Sequence, residues 1–396
     1  MISVAEARAR VRAAFRPTPP ETIPIGEAAG RVLVEDARAK YDQPPFPVSA
    51  MDGYAVRAAD AARIPATLQV IGSAPAGHPF QGRVNAGEAV RIFTGGVVPE
   101  GADAIVIQED TEIAADNVTV KQAAKPARHI RKAGLDFRKG DVLVAAGTRL
   151  SARDLPLLAA GDLANVAVRM KPAVSMAATG DELSRPGETR KPGGIVASSG
   201  YGLSALIRAW GGEPRDLGIL PDTVEAISGI AAASRGADLI VTLGGASVGE
   251  HDLIQKALGP KGFALDFWKI AMRPGKPLIF GRLRDTPLIG LPGNPVSSLV
   301  CSLLFVKPAI EAMLDIAPRD DTAFARLAGE LPANDTRQDY IRAKTAIRDG
   351  ELWVEPFAVQ DSSMLKLLAE ASALIVRPPH AQEIHAGERV EILPLE

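Results

Sequence analysis

Residues 242–252 read TLGGASVGEHD, and the fold is decided there. The apolar run at 238–243 predicts a strand. Gly244 and Gly245 follow it, then a small polar stretch with Ser247 and Gly249. Glu250 and Asp252 then open a predicted helix at 252–258. Glycines after a strand let the backbone turn tightly and bring its N–H groups close to an anion. A helix N-terminus behind them adds partial positive charge. An acid at the end of such a loop suits a divalent cation beside that anion. Many strand-to-helix turns carry two glycines and hold no ligand, so the neighbouring sequence has to be read as well.

Outward from this loop, residues 171–317 alternate strand and helix. Strands are predicted at 173–178, 214–217, 238–243 and 288–291, and helices at 201–210, 223–234, 252–258 and 296–314. Such alternation implies a doubly wound, mainly parallel α/β sheet with helices on both faces. Ligands collect at the carboxyl ends of its strands. The flanks are β-rich. Residues 42–140 carry short runs at 66–71, 89–93, 104–108 and 117–122, separated by Gly and Pro, and read as an inserted β-rich domain. Residues 318–396 carry runs at 324–331, 340–347, 352–356, 373–376 and 389–393, with one helix at 363–371, and read as a barrel-like domain. Residues 1–41 with 141–170 form a linking domain that begins with an amphipathic helix. The chain is therefore multidomain α/β.

Composition narrows the function classes. The chain has 396 residues, 46% of them hydrophobic, enough for several cores. No apolar run approaches the roughly 20 residues that span a bilayer, and the N-terminus lacks a signal-peptide core. Cys301 is the only cysteine. It excludes an intramolecular disulfide and a cysteine zinc cluster, and it fits a cytoplasmic protein. The five histidines show no HxxxH or HExxH spacing. A net charge of −2 gives no basic footprint for nucleic acid. Any anion site must be built locally.

Further motifs lie after other predicted strands. Thr179-Gly180-Asp181-Glu182-Leu183 sets two carboxylates behind a glycine turn, with Glu182 expected at the strand's carboxyl end. Asp222 precedes a helix, where it reads as an N-cap or a ligand; Asp252 has the same ambiguity. Arg273-Pro274-Gly275-Lys276-Pro277 sets two cations beside a rigid turn. Pro292-Gly293-Asn294-Pro295 enters a helix with Pro295 near its first position, and Ser297 and Ser298 follow in the first turn with N–H groups for an anion. In the N-terminal half, SAMDGYAV at 49–56 and FTGG at 93–96 stand out.

Taken in order, SAMDGYAV, FTGG, TGDEL, GGASVGEHD, RPGKP and LPGNPVS resemble the molybdopterin molybdenumtransferases, the MoeA and gephyrin E-domain family of molybdenum insertases. The resemblance spans essentially the whole chain. It implies a homodimer whose cleft is completed by the partner subunit, with adenylylated molybdopterin and molybdate as substrates, AMP and molybdenum cofactor as products, and Mg2+ as the cation. It assigns catalytic roles to Asp52, Thr94, Glu182, Asp222 and Asp252. Of these, Glu182, Asp222 and Asp252 are the expected metal ligands. Substrate contacts are expected from Gly244, Gly245, Ser247, Gly249, Arg273, Lys276, Pro292, Gly293, Asn294, Pro295 and Ser297. One departure is visible: Ala197-Ser198-Ser199 stands where the family usually has an Asp-Ser-Asn-like run.

Two other functions are open to the sequence. A non-catalytic molybdopterin-binding scaffold would need no retained acids. A molybdopterin adenylyltransferase would share the α/β unit but not the β-rich flanks. No nucleophilic Cys or Ser–His pair points to a covalent intermediate.

Overall fold

The computed structural model describes residues 1–245 and 248–395; the side chains of 248–252 lie outside the description. The chain forms two compact units, Thr22–Val168, and Met1–Glu21 together with Arg169–Glu396.

The smaller unit holds a six-stranded sheet. Its order is Ala104–Ile107, Gly53–Val56, Glu88–Ile92, Ala66–Ala74, Asn117–Val120 and Thr111–Ala114. Tyr54, Val56, Leu68, Val106 and Val118 pack on one face, and Ala55, Val90, Ile92 and Ile105 on the other. Gly53–Val56 is buried throughout because antiparallel strands flank it on both sides. A Cβ at Gly53 would stand 2.0 Å from the Val106 carbonyl oxygen, so only glycine fits. The helix Asp154–Ala160 closes a second small core of Ile23, Leu33, Val144, Leu150 and Leu158.

The larger unit is built on a mixed sheet ordered Glu213–Leu220, Ala173–Thr179, Leu239–Leu243, Thr286–Leu291, Pro277–Leu283 and Phe263–Lys269. The first four strands are parallel and the last two antiparallel. Leu239–Leu243 is buried along its whole length, as a central parallel strand covered on both faces must be. On one face Ala177, Ile240, Ile279 and Leu288 meet Ile227, Ile230, Ile254 and Leu258. The strands at 263–283 escape the sequence reading, which sees only the RPGKP turn there. Gly281 explains part of this: its Cβ position lies 2.4 Å from the Ala264 carbonyl, so the partner strand needs a residue that weakens the strand signal.

The helices that connect or follow the strands of the mixed sheet are Ser199–Ala209, Val224–Ala233, Val248–Leu258 and a long apolar helix at Pro295–Met313, whose middle, Ser302–Val306, is a π turn; Val4–Ala13 and Leu365–Glu370 are also helical. The Pro295–Met313 helix reaches the length and apolarity of a membrane span, which the sequence reading does not foresee. Because 72% of its apolar window is buried inside the protein, it is a core helix. A second six-stranded sheet runs Met272–Arg273, Gln338–Arg348, Glu351–Pro356, Ala323–Leu327, Arg389–Pro394 and Ala373–Arg377. Gln338–Arg348 also pairs with Ala373–Arg377, which closes the sheet into a barrel around Leu327, Ala343, Val354, Ile375 and Ile392.

Arg273 joins the mixed sheet to this barrel. Met272–Arg273 adds in parallel to Gln338–Asp339. The Arg273 guanidinium donates to both carboxylate oxygens of Asp339, at 2.9 and 2.6 Å. Such a planar two-bond pair is strong when its carboxylate is sheltered. Asp339 is 8% exposed, and the buried Arg377 lies within its field. Asp339→Ala removes the two-bond partner of Arg273, which is half exposed and keeps Asp335, and the negative charge near Arg377, and should cost about 1–2 kcal/mol. Urea unfolding monitored through Trp353 checks this; an unchanged midpoint refutes it.

Candidate functional site

Three of the marked loops meet at the carboxyl edge of the parallel strands. Ala173–Thr179 ends in the TGDEL loop, Leu239–Leu243 in the double-glycine turn and Thr286–Leu291 in the PGNP turn. Gly244 has φ +95° and Gly245 φ +75°, a left-handed conformation that only glycine adopts cheaply. A Cβ at Gly244 would lie 2.7 Å from the Thr179 carbonyl oxygen and 2.9 Å from Thr179 Oγ1. The Gly244 N–H donates to the Leu291 carbonyl at 3.1 Å. The Cβ position of Gly293 is 3.9 Å from the Gly244 Cα, so the glycine and PGNP turns abut.

Thr179 is a residue the motif reading passes over. Its hydroxyl is buried without a hydrogen-bond partner among the described residues, as are those of Ser175 and Thr242. An unmet buried hydroxyl costs about 1–3 kcal/mol. Sequence alone carries no signal for this, because the threonine is ordinary strand composition until Gly244 is laid over it.

The TGDEL loop places its acids unequally. Asp181 Oδ1 accepts the Asp222 backbone N–H at 3.3 Å, so Asp181 is the carboxylate that meets the Asp222 segment. The Glu182 carboxylate folds back over Gly180, with both oxygens 2.7–2.8 Å from the Cβ position there. The N-cap reading of Asp222 gives way to Thr223, whose Oγ1 accepts the Ala226 N–H at 3.2 Å. Asp222 therefore stands just before the helix. The predicted helix start at Asp252 also moves: the helix runs Val248–Leu258, so Glu250 and Asp252 lie within it. The side chain of Asp252 is outside the described residues, as are Ser247 and any detail of Gly249 beyond its place in this helix.

The PGNP turn is braced from the barrel. Pro295 is the first helical residue and Asn294 the cap. Asn294 Nδ2 donates to Ser362 Oγ at 2.9 Å, and the Val296 N–H donates to the Ser362 carbonyl at 3.1 Å. The Ser298 N–H is taken by Asn294. Much of the anion-binding capacity expected of this turn is thus spent inside the protein, and the Ser297 side chain is buried. Pro292 is buried too, while Gly293 and Asn294 are exposed. The segment holding Ser362 is tied down by the buried Arg342, which donates to Asp361 O and Met364 O. Ser362 is 68 residues from Asn294, and nothing in its local sequence marks it.

RPGKP lies along the same helix. A Cβ at Gly275 would stand 2.3 Å from Cys301 Sγ, six residues or about 9 Å beyond Pro295. Burial pushes the Cys301 thiol up, so it stays protonated. Arg273 is committed to Asp339, while Lys276 is exposed. At the predicted helix after TGDEL, Ser198 occupies the cap position but its side chain makes no cap bond.

In the smaller unit, strand register brings Asp52 and Thr94 together. Gly53 faces Ile92 across an antiparallel pair, so the residues beyond each meet. Asp52 Oδ1 accepts the Thr94 N–H at 2.7 Å and its Oγ1–H at 2.9 Å. These two bonds, the backbone one first, hold the Asp52 carboxyl below the usual carboxylate range. Arg91 lies between the rings of Tyr54 and Phe93, 5.0 Å from each, and adds a smaller pull in the same direction.

Among the described residues, no group of three His, Cys, Asp or Glu side chains surrounds a common point. A hard cation held by one or two carboxylates and by the oxygens of a bound phosphate needs no such group. The pairing of Asp181 with the Asp222 segment fits that kind of site.

Residues 2–161 match the family described as MoeA N-terminal region (domain I and II), 175–312 the probable molybdopterin binding domain, and 325–395 the MoeA C-terminal region (domain IV). The chain is 37% identical over 385 residues to the molybdopterin molybdenumtransferase of Haemophilus influenzae, covering 96% of this chain and 94% of that protein. It belongs to the molybdopterin molybdenumtransferase family. The Nostoc member is 34% identical over 386 residues, covering 95% of this chain and 88% of the relative. The molybdopterin biosynthesis moeA protein of Pyrococcus horikosii superposes with a TM-score of 0.86 at 31% identity, covering 100% of this chain and 99% of that one.

Two outcomes test this geometry. Gly244→Ala forces a left-handed alanine against the Thr179 carbonyl and should lower the thermal midpoint by several degrees; a variant as stable as the parent contradicts the contact. Thr94→Val removes one of the two bonds to Asp52 Oδ1. The Asp52 carboxyl should then titrate closer to its ordinary value, so it holds its proton to higher pH. 13C NMR of the side-chain carbon reads the shift, and an unmoved titration rejects the pairing.

Proposed function

We propose that this protein inserts molybdate into adenylylated molybdopterin, releasing AMP and forming molybdenum cofactor. One observation carries the reading. In a chain matched end to end by molybdopterin molybdenumtransferases, the TGDEL, glycine and PGNP turns meet at one sheet edge, with Asp181 bonded to the Asp222 segment. The scaffold alternative has no comparable support.

The residues divide the work. The turns at 244–245 and 293–294 offer close backbone approach to the substrate's phosphates. Lys276 contributes positive charge toward two anionic reactants, whose approach costs Coulomb energy. One or two carboxylates drawn from Asp181, Glu182, Asp222 and Asp252, with the substrate's phosphate oxygens, would hold Mg2+, which when bound neutralises charge on those oxygens. Attack by water on the adenylate phosphorus forms one P–O bond and breaks the bridging P–O bond of the anhydride; the molybdopterin phosphate is the leaving group, and AMP carries away the new oxygen. Asp52, kept ionised by its bonds from Thr94, would offer a fixed negative charge that orients the attacking water by accepting its hydrogen bond.

The reading includes a homodimer in which Asp52 and Thr94 of one protomer complete the cleft of its partner. The apolar residues Tyr41, Phe46, Met51, Phe93 and Leu135, exposed on the smaller unit, support a surface that is covered in the assembly. The single, buried, protonated Cys301 suits a reducing, cytoplasmic setting.

Incubation with adenylylated molybdopterin, molybdate and Mg2+ should release AMP, and Asp52→Ala and Asp222→Ala should each reduce release by at least about 100-fold. Mixed and re-associated, the two inactive variants should regain about a quarter of parental activity, since half the dimers carry one intact site of two. No AMP from the parent protein defeats the insertion reading. No recovery on mixing defeats the shared cleft.

A further inference from the structure

We propose that Lys191 binds the phosphate of the adenylylated substrate at the acidic rim formed by Asp181, Glu182 and Asp222. The inference rests on the insertion reading above and adds a residue to that site.

Asp181 and Glu182 put negative charge at the rim beside the Asp222 segment. Of the two cations named by the motifs, Arg273 is paired with Asp339, which leaves Lys276. A second cation unpaired among the described residues would further offset the acids of the rim, and the segment 184–196 carries one. Leu183–Ser184 pairs in parallel with Ile195–Val196, closing the intervening loop at its base. Within it stand two Pro-Gly turns. In Arg185-Pro186-Gly187-Glu188, the Glu188 N–H donates to the Arg185 carbonyl at 3.1 Å and Gly187 has φ +85°. In Lys191-Pro192-Gly193-Gly194, the Gly194 N–H donates to the Lys191 carbonyl at 2.8 Å and Gly193 has φ +77°. Proline at the second position and a left-handed glycine at the third define a type II turn, so Lys191 starts from a fixed corner.

That corner is docked on the rim. The Ile195 N–H donates to the Glu182 carbonyl at 2.8 Å. A Cβ at Gly194 would lie 3.0 Å from the same carbonyl oxygen, so the turn packs directly on the Glu182 backbone. Lys191 Nζ then donates to the Asp181 carbonyl at 3.2 Å. Among the described residues, no carboxylate lies within ion-pair distance of this ammonium. A carbonyl uses one of its three donors and leaves two for an incoming phosphate. A cation anchored on a neutral group beside a row of acids offsets their repulsion without being neutralised by them.

The experiment measures AMP binding to the full-length protein with Mg2+ by calorimetry, with adenosine as the probe lacking phosphate. Lys191→Ala should weaken AMP about 5–10-fold, and Lys191→Arg should stay within about twofold, as expected for one charge-assisted phosphate contact. Adenosine binding should not change. In turnover the KM of Lys191→Ala should rise with kcat nearly unchanged. AMP affinity within twofold of the parent in Lys191→Ala, equal loss of adenosine, or no AMP binding by the parent overturns the assignment. A parent that binds AMP through Lys191 but releases none from the adenylylated substrate upholds this phosphate contact and defeats the insertion reading instead. Lys191 is exposed, so thermal midpoints should match, and a variant that fails to fold would itself contradict the placement.

Discussion

The approach of the Gly244 backbone to Thr179 is the constraint on which the site depends. Two parallel strands end side by side, and the turn leaving one crosses the last residue of the other at a distance that admits no side chain. Once Gly244 lies there, its N–H reaches Leu291, and the PGNP turn abuts the glycine turn. The third strand end, TGDEL, is then the floor of the same edge. A parallel sheet brings its loops together at one edge by topology. The bare glycine sets how closely they meet.

Charge is arranged around that edge with economy. The acids gather where Asp181 receives the Asp222 N–H, while the cations are divided by task. Arg273 holds the barrel to the mixed sheet through Asp339. Arg342, buried and bonded to carbonyls, stiffens the segment whose Ser362 braces the PGNP turn. Guanidiniums with fixed, planar donors serve as structural joints, and the flexible ammoniums of Lys191 and Lys276 remain exposed. This division explains why the barrel matters to the site although only Arg273, among the residues of the six motifs, lies in one of its strands.

The sequence carried the alternation of strand and helix, the β-rich flanks and the positions of the turns. These follow from local rules: apolar runs with period, Gly and Pro as punctuation, and acids or hydroxyls before helices. The same rules misjudge what depends on partners. The strands Phe263–Lys269 and Pro277–Leu283 hide behind a glycine demanded by the strand opposite. Asp222 reads as a cap until Thr223 is seen to take that role. Between the adjacent acids of TGDEL, spacing cannot say which one turns toward Asp222.

By itself, then, the sequence determined which residue types stand at each strand end, because turn geometry and backbone freedom are local properties. Only the tertiary structure decided which of them meet. Asp52 finds Thr94 through strand register, Asn294 finds Ser362 across 68 residues, and Arg273 is matched by Asp339 through the added strand of the barrel. Hydrogen bonds and ion pairs act over a few ångströms, and chain separation says nothing about distance until the fold has closed.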